Sequence, residues 1–503
     1  MTQLSKIEPR PYQAEGIQQI RVEFSKGATC VLYVLSTGGG KSVILMIIAL
    51  GAASKGSVTY AIAHKTELIE QLSLTLCKAG IEHNLIVPKN KLSAIKMAQY
   101  KAFGRVFYNP KSTIFVGSVQ TINKRLDTLP KPDLIIPDEG HHYVEGSEWS
   151  QIIEKYPESK VLLLTATPAR TDKKGLGRGF GGFADAMVVG PSMGWLIEQG
   201  NLSQYKVFTT SKQWDLTGAK TGKDGDYTSR SLEKIADKPS IVGDAISHYK
   251  KLAFGMKAMC FSVSIEASKH TCAQFNANGI PSIHVDGSML DSERRQAIRD
   301  YAEGKYMMIC CESLIDEGFD LEAISQIKGA TIDCLVDLSP TQSLIRAMQR
   351  WGRILRPKEG KTAIIIDHAG NILRHGLPDI EREWSLEGEI RTSKNDGEKT
   401  ISVRTCPQCF HIHLPEPQCP DCSFIYPQQV RVIDEKEGEL VELTEDDKAA
   451  IKYQMKWDKR KEQSKAESLD DLIALGRQRG FKNPVGWANH IFRAREAKKL
   501  EHS

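Results

Sequence analysis

Between residues 28 and 167, short apolar runs rich in β-formers alternate with longer helical stretches. The runs are CVLYVL, VTYAIA, TIFVG, DLIIP and KVLLLT. Each is apolar almost throughout, not only on alternate positions. Strands read this way when helices cover both faces of a parallel sheet. A second series follows: KAMCFSV, PSIHV, YMMICC, CLVDL and TAIIID. The pattern predicts two α/β units of similar size, the second beginning near residue 205. Between them, GLGRGFGG at 175–182 reads as a flexible surface loop, and TGAKTGKDGDYTSR as another exposed loop.

Past about residue 386 the texture changes. RTSKNDGEKT is linker-like, and Asp434 to Asp447 carries eight acidic residues against one lysine, the mark of a solvated spacer. The last part, SLDDLIALGRQRGFKNPVGWANHIFRAREAKK, predicts two short helices broken at Gly480 and Pro484. Leu469, Leu472, Ile473 and Leu475 form one apolar face; Trp487, Ile491 and Phe492 form another. The basic residues from Arg477 to Lys499 suit either an accessory binding element or a solvated helical cap.

Composition sets bounds on this picture. A chain of 503 residues is too long for one core. Hydrophobic residues make up 41% and charged residues 26%, an ordinary soluble mixture. The longest apolar run, Val43 to Ala53, is closed by Lys41 and Lys55, so it reads as a buried helix and not a membrane span. The N-terminus lacks the apolar stretch of a secretory signal, which leads us to expect a cytoplasmic chain with no membrane partner. A net charge of +5 leans toward a polyanion partner, although local clusters matter more than the sum. Of eleven cysteines, seven are scattered (Cys30, Cys77, Cys260, Cys272, Cys310, Cys311 and Cys334). In a cytosolic chain they read as small buried hydrophobes.

Candidate chemistry begins at Ser36-Thr37-Gly38-Gly39-Gly40-Lys41-Ser42, between a strand and a helix. A phosphate-binding loop needs that context: glycines turn backbone N–H groups inward, and the helix N-terminus adds positive dipole. Lys41 would reach the β- and γ-phosphates of ATP, and the Ser42 hydroxyl would ligate Mg²⁺. The strict pattern has glycine where this chain has Leu35. LIIPDEGHH puts Asp138 and Glu139 at the carboxyl end of a buried strand. Asp138 suits Mg²⁺ and Glu139 a general base orienting water; His141 either couples the site to the second unit or simply packs. Cys406, Cys409, Cys419 and Cys422 form two Cys-x-x-Cys pairs nine residues apart, a spacing that predicts a closed tetrahedral Zn²⁺ site.

In order and spacing these motifs resemble the superfamily 2 helicases. Asp138-Glu139-Gly140-His141 is similar to the DEAH-type box, with glycine for the usual alanine or cysteine. Thr165-Ala166-Thr167 resembles motif III, which links ATP state to strand binding and makes Thr165 and Thr167 coupling residues, and Arg10-Pro11-Tyr12-Gln13 resembles the adenine-reading motif, with Gln13 as reader. Ala61 to Gln71 and Gly117 to Thr121 sit where family members touch the nucleic-acid backbone. Glu317-Gly318-Phe319-Asp320 resembles motif V, placing Gly318 and Asp320 near the nucleotide. Gln349-Arg350-Trp351-Gly352-Arg353-Ile354-Leu355-Arg356 fits motif VI, making Arg353 and Arg356 the arginine-finger candidates and Gln349 a coupling residue. Within the superfamily the chain looks closest to bacterial RadD-like repair ATPases and related phage helicases.

The resemblance implies an α/β architecture of two tandem RecA-like parallel-sheet domains, with a zinc ribbon and a helical tail. The expected boundaries are 1–200 for the ATP-binding lobe, 201–385 for the helicase C-terminal lobe, 400–430 for the ribbon and 448–503 for the tail. It implies ATP, Mg²⁺ and Zn²⁺, and nucleic acid as partner, DNA above RNA. A single-strand-binding or repair protein is a further candidate partner. The expected activity is ATP-driven movement on or unwinding of DNA in repair, recombination or phage replication, in a bacterial or infected host cytoplasm. The alternatives are the motor subunit of a restriction or defence system, an RNA helicase, and an inactive DNA-binding scaffold.

Overall fold

The structure is a computed structural model. It describes residues 8–388 apart from 171, 173, 211–215, 217, 223–224, 237–238, 314–318 and 320; beyond these it describes 404–405, 412–413, 440–442, 466, 468–478, 484–489 and 491–492.

Seven strands make the first sheet: β1 (Cys30–Val34), β2 (Thr59–Ala63), β3 (Asn84–Ile86), β4 (Ile114–Ser118), β5 (Leu134–Pro137), β6 (Lys160–Thr165) and β7 (Ala186–Val189). Their order is β3-β4-β2-β5-β6-β1-β7, and every pairing is parallel. β1 and β2 are buried at every position, because helices lie over both faces. The five runs read from the sequence are β1, β2, β4, β5 and β6. β3 and β7, at three and four residues, are too short to stand out as runs, although β7 is apolar throughout.

The second sheet holds β8 (Gln204–Thr210), β9 (Ala258–Phe261), β10 (Ser282–His284), β11 (Met308–Cys311), β12 (Cys334–Asp337) and β13 (Thr362–Asp367). Further along, β14 (Arg404–Thr405) pairs antiparallel with β15 (Ile412–His413), and β16 (Leu440–Glu442) completes the second sheet at its edge. The order is β10-β11-β9-β12-β13-β8-β16, parallel except for the last pair. The chain therefore forms two parallel-sheet α/β domains. The acidic stretch after Asp434 is not spacer throughout, since its Leu-Val-Glu core adds a strand to β8. Three residues among acids are too brief a signal to read.

Two expected loops turn out to be anchored. In GLGRGFGG, Leu176 is buried, Arg178 pairs with Asp185 at 2.7 Å, and Gly177 N donates to Leu386 O at 2.8 Å. The segment is held within the first domain, so it is no flexible connector between the two. In TGAKTGKDGDYTSR, Asp226 is only 3% exposed; it accepts from Thr341 Oγ1 at 2.6 Å and Gln342 N at 2.7 Å and pairs with Arg346 at 3.0 Å. One carboxylate fixes an otherwise polar loop to the second domain.

After β13 the chain runs back onto the first domain. Trp384 packs against its core, and Lys174 and Gly388 form an antiparallel bridge. All seven scattered cysteines are buried. In the C-terminal part, a helix spans Leu469–Gln478, and Leu472, Leu475 and Ala488 are buried with Trp487, Ile491 and Phe492 against them. Among the described residues, no helix is long and apolar enough to cross a membrane.

Candidate active site

β1 feeds the loop that opens the helix Lys41–Ala53. Leu35 N donates to Thr165 O at 2.9 Å, so the residue extends the parallel ladder by one step. Its side chain is fully buried in the core, which is what the chain gains where the strict pattern has glycine. Gly38 and Gly40 take φ of 84° and 88°, and Lys41 Nζ lies 3.5 Å from Leu35 O. Lys41 and Ser42, the first two residues of the helix, line a cleft together with Thr37, Gly38 and Gly40, so a helix start and a lysine share one wall.

β5 delivers Asp138 and Glu139 to the same cleft. Asp138 Oδ1 accepts from Glu139 N at 3.0 Å. Burial, and then the charge of Glu139, pushes the Asp138 carboxyl up to about 6, against the pull of Lys41 and His64. Glu139 has φ 51° and ψ 53°, a left-handed backbone that costs a non-glycine residue about 1 kcal/mol or more. It is 4% exposed and its Oε2 makes no hydrogen bond. Gly140 has a steric reason to depart from alanine: a Cβ there would come within 2.7 Å of Leu163 Cβ.

A chain of contacts leaves Glu139 for the second domain. His141 Nδ1 stands 3.4 Å from Glu139 Oε2 and 3.1 Å from Thr165 Oγ1. Thr165 Oγ1 donates to Thr167 O at 3.1 Å, so its lone pairs face the imidazole, which leaves His141 Nδ1–H as donor. Thr167 Oγ1 reaches Met348 Sδ at 3.7 Å, on the helix Leu344–Ile354 of the second domain. His141, Thr165 and Thr167, read as coupling residues, are thus in one line.

That second-domain helix closes the cleft. Ser343 caps it by accepting from Arg346 N. Gly352 lies so near Thr37 of the phosphate loop that a Cβ would come within 2.5 Å of its side chain. Gln349 is 1% exposed, lines the cleft, and neither of its amide atoms has a hydrogen-bond partner. An unpaired buried amide is costly, about 1–3 kcal/mol, and points to a polar ligand. Arg353 Nη1 donates to Phe319 O at 2.7 Å, and Arg356 Nη2 reaches the same oxygen at 3.4 Å.

The resulting cavity, about 540 Å³, is lined by Lys41, Ser42, Asp138 and Glu139 on one side and by Gln349, Arg353 and Arg356 on the other. Thr37, Gly38 and Gly40 also line it, and Gly39 sits within the same loop. Gln13 does not line it. Its Oε1 accepts from Arg10 N at 2.9 Å and its Nε2 donates to Gly39 O at 3.0 Å, so it braces the loop from behind. Arg10 does line the cleft, with Nη1 donating to Asn201 Oδ1 at 2.7 Å. Asn201 carries no sequence signal that marked it as a site residue, and Phe319, though inside the motif V segment, acts through its backbone carbonyl, which no side-chain pattern announces. Gly318 and Asp320 fall outside the described residues, as do Cys406, Cys409, Cys419 and Cys422.

Two family models match the chain. Residues 6–170 match the res subunit of type III restriction enzymes, and residues 237–358 match the helicase conserved C-terminal domain. A Lactococcus phage protein described only as a 51.5 kDa protein is 31% identical over 433 residues, covering 82% of each chain. Two fungal proteins, both described provisionally as ATP-dependent helicases, also match. The mitochondrial irc3 of Schizosaccharomyces pombe is 27% identical over 74% of this chain and 59% of its own length. IRC3 of Saccharomyces cerevisiae is 26% identical over 72% of this chain and 51% of its own, so the chain spans just over half of these two relatives. With a phosphate-loop domain and a helicase C-terminal domain meeting at one cleft, and a relative matched over most of both chains, the protein belongs to the superfamily 2 helicases.

Proposed function

We propose that this protein hydrolyses ATP between two RecA-like lobes to translocate on or unwind DNA. The observation that carries the reading is the two-sided cleft: a phosphate loop and an acidic strand end from one domain face Gln349, Arg353 and Arg356 from the other. In this reading Lys41 holds the β- and γ-phosphates, and Glu139 orients and deprotonates the attacking water. Ser42 and Asp138, both oxygen donors lining the cleft, fit Mg²⁺, which when bound neutralises phosphate charge. Arg353 and Arg356 leave Phe319 O for the transferred phosphoryl group, a contribution of about 10³ or more in rate. Arg10 and Asn201 are the groups we assign to the adenine end, with Gln13 bracing the loop.

Coupling follows the line from Glu139 through His141, Thr165 and Thr167 to Met348. Loss of the γ-phosphate removes a ligand that both domains share. The open arrangement then gains population, and one grip on the strand shifts relative to the other. Grip on the backbone implies little sequence preference and strong salt dependence.

The test is ATP turnover with single-stranded, duplex, forked and branched DNA, and with RNA. DNA is expected to raise turnover most; stimulation by RNA alone would replace DNA with RNA as substrate, and no stimulation by either would end the motor reading. The match of residues 6–170 to a restriction subunit supports a second reading, the motor part of a restriction or defence system. For the C-terminal parts we propose a structural zinc ribbon at Cys406, Cys409, Cys419 and Cys422, and an accessory binding role for the basic helices. β14 and β15, which flank the first Cys-x-x-Cys pair in sequence, pair antiparallel, and this supports the ribbon reading. Metal analysis is expected to give one zinc per chain; much less would remove the ribbon.

A further inference from the structure

The two domains also meet away from the cleft, through charge. The helix Thr66–Lys78 carries Leu68, Gln71 and Leu72 on its cleft face. Glu67 and Glu70, three residues apart, lie on the neighbouring stripe. Facing them from the second domain is the helix Asp291–Glu303. Arg295 Nη1 donates to Glu70 Oε1 at 2.8 Å, and its Nη2 stands 2.7 Å from Glu70 Oε2. Arg294 pairs with Glu67 and also with Asp291 at 3.0 Å; Lys91 of the first domain takes the other oxygen of Asp291.

Three acidic and three basic side chains therefore bridge the domains. Exposed ion pairs contribute little, because water screens them and ordering costs entropy. This cluster differs: the side chain of Glu70 is 5% exposed and that of Arg294 10%, and one Glu70 oxygen is hydrogen-bonded to Arg295 while the other lies 2.7 Å from its guanidinium. Breaking such a pair leaves a charge buried without its partner.

We infer that Glu70–Arg295 and Glu67–Arg294 are positioning pairs: they set the approach of the second domain to the first, and through it where Arg353 and Arg356 stand relative to the phosphate loop. The link is mechanical. Leu68, Gln71 and Leu72 line one wall of the cleft, and the next stripe of the same helix is clamped to the domain that carries both arginines. A shift of about 1 Å in reacting groups can cost about 10² in rate, so a loose clamp is felt at the phosphates.

This rests on the proposed hydrolytic function, so the experiment has one readout that depends on hydrolysis and one that does not. Arg295→Glu, Glu70→Arg and the swapped double variant are compared with wild type by small-angle scattering and by steady-state ATP turnover. Each single reversal is expected to enlarge the radius of gyration and to lower kcat by about ten-fold or more while KM for ATP changes little. The double swap is expected to restore both, which a fold defect at either residue would not do. Unchanged scattering in the single variants, or a swap that restores neither quantity, overturns the positioning role. Wild-type protein without ATP turnover would remove the hydrolytic function and leave the scattering comparison to decide the clamp.

Discussion

Glu139→Gln is expected to lower ATP turnover by about 10²–10⁴-fold while ATP still binds, because the amide keeps the shape of the carboxylate and removes the base. The residue is poised for that role: its Oε2 is buried and makes no hydrogen bond, and its backbone is held left-handed at φ 51°. Strain of this kind persists only where the surroundings over-determine it, here through Asp138 Oδ1 on its N–H. Lys41→Ala removes a fixed positive charge from the same cleft, and a loss of about 10²–10³ in turnover is expected, with weaker nucleotide binding as well. Steady-state turnover and titration with a non-hydrolysable ATP analogue separate the two effects. Wild-type turnover in either purified variant would overturn the assignment of the site.

Arg350→Met is expected to destabilise the second domain by about 3–5 kcal/mol, the range for breaking a buried ion pair by removing one partner. Arg350 is 2% exposed; it donates to Asp337 Oδ1 at 3.0 Å and Ser339 O at 2.9 Å, and stands 4.4 Å above the Phe261 ring. Asp337 is fully buried, and with the guanidinium gone Asn371 Nδ2 at 2.9 Å cannot neutralise it. Asp367 adds a second carboxyl, pushed up to about 6 first by burial and then by the charge of Asp337. Calorimetric melting should show a drop of roughly 6–20 °C in the unfolding of the second domain. Adding Asp337→Asn should recover part of the loss, since it removes the stranded charge. A single variant that melts with wild type would show that the pair does not hold the domain.

How far the sequence carried depends on the kind of feature. Apolar runs such as KVLLLT and TAIIID announced central strands, because a strand buried on both faces has no polar alternation. Edge strands were uneven: β10 was legible as PSIHV, whereas Leu440–Glu442, three residues inside an acidic stretch, was not. The phosphate loop and acidic strand end were legible because their chemistry is local in sequence. Partners from far along the chain were not. Nothing near Gln13 says that its amide nitrogen is occupied by Gly39 O, and nothing near Asp226 says that Thr341 and Arg346 wait for it. The two departures from the family pattern, Leu35 and Gly140, became intelligible only with their neighbours in view: one fills the core, and the other makes room for Leu163.

The return of the chain onto the first domain has a mechanical consequence. The domains are joined first where the chain passes from the helix Met193–Glu198 into β8. They are joined again where Trp384 and Leu386 lie on the first domain after β13. A body held by one tether can swing and twist in any direction. A body held at two points loses the twists that would stretch one tether against the other, and keeps rotation about the line between them. Opening of the cleft is thereby expected to follow a single hinge angle, as in a door on two hinges.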